Sequence, residues 1–144
     1  VSHRFFDHTA DVGVDIEAPD HASLFTEALR AFTDTLTPLA GVGAAGGSPV
    51  EREIELEAES LDELMVSWLE ELLFLFEVES LLFFGAEMCV EEEAGGWRLR
   101  AVARGETYDP DRHRLKVLIK GVTYHGLSVE ERPEGWWARV IFDI

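Results

Sequence analysis

The second half of the chain leaves little room for helix. Residues 83–91, 97–103, 116–120, 122–131 and 136–142 either alternate apolar with polar side chains or are rich in β-formers. That is the pattern of half-buried strands. Ala94-Gly95-Gly96 and Pro133-Glu134-Gly135 are turn signals between neighbouring strands. Strands joined by such short connections pair antiparallel, because a parallel partner needs a long crossover.

The first half differs. Residues 11–18, DVGVDIEA, alternate Val12, Val14 and Ile16 with Asp11, Asp15 and Glu17, which reads as a strand. Residues 23–36 follow with Leu24, Phe25, Ala28, Leu29, Phe32 and Leu36 at helical spacing. Residues 53–58 alternate again, Ile54 and Leu56 inward and three glutamates outward. Ser60 then caps a second helix, with Glu63 completing a capping box. Its apolar stripe runs through Leu61, Leu64, Met65, Trp68, Leu69, Leu72 and Phe76, and places this helix at the centre of the core. The order β, α, β, α and then a run of β predicts an α+β fold: one domain over residues 1–144, with a mainly antiparallel sheet and two principal helices.

The composition narrows the function. No apolar run approaches the roughly 18 residues of a membrane helix, and the first residues carry no apolar signal-peptide core, so a cytoplasmic protein is expected. A single cysteine, Cys89, excludes an internal disulfide and any CxxC metal or redox pair, and is expected to be a small buried hydrophobe. Twenty-nine acidic residues against 12 basic ones give a net charge of −17. That field repels phosphate backbones, so direct nucleic-acid binding is not expected, whereas a basic protein partner or a bound cation is. Plain solubility explains the acidity equally well, and both readings stay open.

One motif is a decoy. Gly41, Gly43 and Gly46 match the dinucleotide pattern GxGxxG within the stretch PLAGVGAAGGSP. That pattern works only between a preceding strand and a following helix, whose N-terminus holds the pyrophosphate. Here a helix precedes and a strand follows, so a connector is expected.

The carboxylates at the two ends carry more. Asp11 opens the first alternating segment, and Asp143 lies on the last with Trp137, Arg139 and Ile141 on its face. Ile144 follows as the final residue. If these ends lie side by side, Asp11, Asp143 and the Ile144 carboxylate converge. Like charges at ~5 Å repel by roughly 1 kcal/mol even in water, so such a cluster favours a cation. An all-oxygen set suits Ca²⁺ or Mg²⁺; His8 widens the choice to Zn²⁺ or Mn²⁺. Taken alone, Asp11 aligns equally well with Asp15 and Glu17 as a solvated strand face. His8, His113 and His125 also raise the alternative of a histidine-containing hydrolase site, although neither HExxH nor a GxSxG elbow is present. Lys116 and Lys120 are expected on one face of a strand.

Four ordered stretches then bear on the choice. DHTADVG (residues 7–13), WLEELL (68–73), KGVTYH (120–125) and RVIFDI (139–144) together span nearly the whole chain. They resemble the signatures of the archease family. The resemblance departs from the usual motifs at Glu70, where asparagine is common, and at Gly121, where alanine is common; Gly121 is expected to loosen the strand near Lys120 or to mark a bulge. What the resemblance implies is an α+β domain that holds a divalent ion, often Ca²⁺, with Asp11, Asp143 and the Ile144 carboxylate as ligands. Lys120 corresponds to the lysine the family needs for activity. It also implies a function: a protein cofactor, without turnover of its own, that promotes guanylylation and repeated turnover of the RtcB-type, GTP-dependent RNA ligase of tRNA splicing and RNA repair. Two rivals remain at this point, a metal-dependent hydrolase using the same carboxylates with His8 or His125, and a chaperone-like binding module that needs no metal.

Overall fold

A computed structural model of the chain describes residues 1–8, 11–43 and 47–144, residues 7 and 8 by their backbone alone. The chain order is β1 (Ser2–His8), β2 (Asp11–Ala18), α1 (His21–Leu36), a 3₁₀ turn (Leu39–Gly41), β3 (Pro49–Ala58), α2 (Leu61–Glu79), β4 (Leu81–Glu93), β5 (Gly96–Thr107), β6 (Gly121–Arg132) and β7 (Gly135–Asp143). The strands form two antiparallel sheets, β1-β2-β7-β6 and β3-β5-β4, so the α+β expectation holds. The first and last predicted strands are neighbours at the middle of the four-stranded sheet, which brings residues 11 and 143 together.

Each helix begins where its sequence stops satisfying a strand. Asp20 has extended backbone and its carboxylate accepts from the Ser23 amide at 2.7 Å, so α1 starts two residues earlier than its apolar pattern suggests. Ser60 accepts from the Glu63 amide at 3.2 Å, and Glu63 accepts in return from the amide of Glu59 at 3.3 Å, one residue before the cap. α2 ends at Ser80, whose left-handed backbone (φ 58°) returns its N–H to the carbonyls of Leu75 and Phe76. Helix α2 lies at the core as its stripe predicts: Leu64, Met65, Trp68 and Leu69 are fully buried, and the Trp68 indole donates to the Phe25 carbonyl of α1 at 2.9 Å. That bond gives the polar atom of the largest core side chain a partner, as burial requires.

Four expectations are corrected. Residues 2–8 form β1, which the alternation did not reveal because SHRFFDH places histidine and charge on both faces. Residues 116–120 are not a strand; they complete a long connection held by side chains and isolated backbone bonds. Cys89 is exposed on β4, because glutamates rather than a packed layer flank it on its sheet face. Gly121 does not mark a bulge: it pairs with Asp143, and the register break falls between Thr123 and Ser128. The glycine-rich connector does lie between α1 and β3, and its residues 44–46 are outside the described residues. Among the described residues no helix is long and apolar enough to cross a membrane.

Candidate functional site at the end of the four-stranded sheet

Strand register builds the site. In the β2–β7 ladder Asp11 stands opposite Asp143, and in the β6–β7 ladder Gly121 stands opposite the same residue. Directly opposed residues of an antiparallel pair point to one face with Cβ atoms roughly 5 Å apart. Asp143 is exposed, and Asp11 and Ile144 are half-buried. Two carboxylates held this close on a rigid ladder are hard oxygen donors, the kind that divalent cations such as Ca²⁺ take. Among the described residues no three His, Cys, Asp or Glu side chains are grouped to hold a metal. The His8 side chain, a further candidate, lies outside the described residues.

Lys120 reaches this end without belonging to a strand. Its N–H donates to the Asp143 carbonyl at 2.6 Å, which fixes its backbone beside the carboxylates. The connection that delivers it is pinned at three earlier places. Arg112 and His113 engage Glu106 at the end of β5, the Thr37 hydroxyl donates to the Arg114 carbonyl at 2.8 Å, and the Lys116 amide donates to the Leu36 carbonyl at 2.7 Å. Ile119 enters the core at 4% exposure, so Lys120, next in sequence, faces solvent. Lys116, exposed as well, reaches Asp34 on α1, with Nζ 3.7 Å from Oδ1.

The Glu106 knot is internal support. The carboxylate is 2% exposed and accepts from the Gly43 amide at 3.0 Å, from His113 Nε2 at 2.7 Å and from both terminal nitrogens of Arg112. Burial opposes its ionisation, but the His113 bond, the Gly43 amide and the Arg112 charge outweigh burial and hold its pKa below the ordinary value. His113 Nδ1 accepts from the Asp109 amide at 2.9 Å, so both of its ring nitrogens are engaged and it is not available as a base or ligand. His125 sits exposed on the irregular stretch of β6, its amide bonded to Thr123 Oγ1. The three-histidine hydrolase arrangement therefore loses His113.

One feature of the site escaped the alternation pattern. Gly13 lies under the Phe6 ring: a Cβ there would meet its carbons at 2.2 to 2.5 Å. The ring lies against the strand two residues from Asp11, with the Arg139 guanidinium 4.6 Å from its centroid. Arg139 in turn donates to both oxygens of Asp15, at 2.7 and 3.0 Å. Trp137, on the same face, is covered by Arg132 at 3.8 Å rather than left bare. The only advance signal for this packing was the glycine of DHTADVG itself.

Comparison with known proteins bears on the family and the fold. The profile of the Archease protein family (MTH1598/TM1083) matches residues 3–144. Protein archease of Methanopyrus kandleri is 39% identical over 140 residues, covering 96% of both chains, and that of Pyrococcus furiosus is 34% identical with the same coverage. The solution structure of protein 1598 of Methanobacterium thermoautotrophicum superposes with a TM-score of 0.80 at 29% identity, over 99% of this chain and 98% of that one. A crystal structure from Thermotoga maritima, described as an archease and possible chaperone, shares the fold at a TM-score of 0.59 and 17% identity, over 96% of this chain and 94% of that one. On its sequence and its fold, this chain belongs to the archease family.

Proposed function

We propose that the chain is a metal-binding protein cofactor of an RtcB-type RNA ligase, with Asp11, Asp143 and the Ile144 carboxylate as ligands of a divalent ion and Lys120 as the activating side chain. The observation that carries this reading is the pairing of Asp11 with Asp143, with Lys120 bonded to the backbone of the same aspartate. Every donor in the set is a hard oxygen, so Ca²⁺ is the first choice and Mg²⁺ or Mn²⁺ the next. The carboxylates orient the ion at an exposed sheet end, and Lys120 beside them offers a cation to nucleotide phosphates in the ligase active site. The chain performs no turnover itself. RNA stays with the ligase, in keeping with the net charge of −17.

A ligation assay run over several turnovers tests the reading. The intact chain stimulates the ligase, and a chain lacking Ile144 stimulates it at least tenfold less, roughly the loss expected for one metal ligand. A second reading is favoured by one observation: Phe74 and Val78, 53% and 64% exposed one helical turn apart on α2, offer an apolar contact to a protein partner. Under that chaperone-like reading, stimulation survives complete removal of divalent ions.

A further inference from the structure

Outside the carboxylate site, titratable side chains gather around His3. It lies on β1, an edge strand, and its ring is 14% exposed. Both ring nitrogens face carboxylates of α1: Nδ1 is 2.5 Å from Glu27 Oε2 and Nε2 is 3.2 Å from Asp34 Oδ2. Glu27 and Asp34 are seven residues apart, two turns of one helix face. The Glu27 side chain is 8% exposed. A neutral imidazole has one N–H, so between two ionised carboxylates it would aim a lone pair at one of them. Only the imidazolium donates to both.

We propose that His3 is a proton-operated clasp that fastens edge strand β1 to α1 through Glu27 and Asp34, and that its deprotonation releases the strand. From α1, Arg30 Nε stands 3.5 Å from Glu27 Oε1, and from the connection before β6, Lys116 Nζ stands 3.7 Å from Asp34 Oδ1. From β1 itself the Phe5 ring meets the imidazole edge-on at 5.5 Å. Asp34 is thus shared by the strand that leads towards Asp11 and by the connection that leads to Lys120. It also accepts from the Leu39 amide at 3.0 Å, which anchors it independently of either.

The Glu27 hydrogen bond raises the His3 pKa above its ordinary value, burial opposes the rise, and Asp34 adds to it. A histidine whose folded pKa is raised stabilises the fold fully below its unfolded pKa, and the contribution is lost as pH rises through the folded one. While Glu27 and Asp34 stay ionised the clasp is therefore closed below the ordinary histidine value, and it opens as pH rises through the raised folded one. Its effect on the carboxylate end rests on the proposed function; the clasp itself does not.

Amide hydrogen exchange of the intact chain, divided by the intrinsic rate at each pH, tests the clasp without metal or ligase. Protection of residues 2–8 relative to β5 is expected to fall roughly tenfold across the His3 titration, the effect of one lost charge-assisted hydrogen bond. His3→Gln is expected to show the low protection at every pH, and Glu27→Gln to move the midpoint down. Proton NMR of the His3 ring in the unaltered chain reads the same titration even where a variant folds poorly. Protection of β1 that ignores pH, an equal pH-dependent fall in His3→Gln, or a ring that titrates at or below the ordinary histidine value would each overturn the proposal.

Discussion

At the scale of single residues, the informative positions are those where a small change removes a specific contact. Gly13 is one. A methyl there displaces the Phe6 ring, which is the free end of a side chain and has somewhere to go, so the cost is modest. Gly13→Ala is expected to lower stability by about 1 kcal/mol and to separate Phe6 from Arg139, which NMR of the Phe6 ring would register. Glu106 is the opposite case. Its carboxylate and His113 are buried, and removing its charge leaves half-buried Arg112 without its carboxylate partner. Glu106→Gln is expected to cost about 3 kcal/mol in urea unfolding at pH 7. Because the folded Glu106 pKa is depressed, its stabilisation is present above the unfolded carboxylate pKa and is lost as pH falls through the folded value. The gap between wild type and variant should therefore shrink in acid; a gap that widens there would refute the assignment.

At the scale of elements, local chemistry and long-range packing divide the fold between them. The Ser60 cap and the apolar stripe of α2 were legible because both are local: a hydroxyl three residues before a glutamate, and side chains at helical spacing. Ser60→Ala is expected to cost about 1 kcal/mol of thermal or urea stability, the worth of one N-cap. Strand β1 was not legible, because the side chains on its helix-facing side are His3 and an exposed Phe5 rather than an aliphatic row, and the partners of His3 are Glu27 and Asp34 far along the chain. The stretch 116–120 was misread as a strand for the converse reason. Its run of β-formers, Val117, Leu118 and Ile119 between two lysines, is real, but the amide of Lys116 is taken by Leu36 and that of Lys120 by Asp143, not by a ladder. Half of the candidate site was visible in this way. Asp11 and Asp143 each sit on an alternating segment, but their opposition depends on β2 and β7 being neighbours, which no local pattern states.

At the scale of the whole molecule, charge is the dominant fact. On the outer face of the three-stranded sheet, arginines of β5 sit between glutamate columns: Arg104 bridges Glu51 and Glu87, and Arg98 bridges Glu57 and Glu93. Exposed pairs of this kind contribute little individually. They do not cancel a net −17, so raising ionic strength from low salt to about 0.15 M should increase the melting temperature by screening self-repulsion. The same field suits a partner that presents positive charge to the sheet end carrying Asp11, Asp143 and Lys120. Guanylylation of an RtcB-type ligase, measured in a single turnover with GTP, tests that reading most directly. The account predicts strong stimulation by the intact chain and little by Asp11→Ala or Lys120→Ala, both retaining the wild-type unfolding transition. Full stimulation by both variants would contradict it.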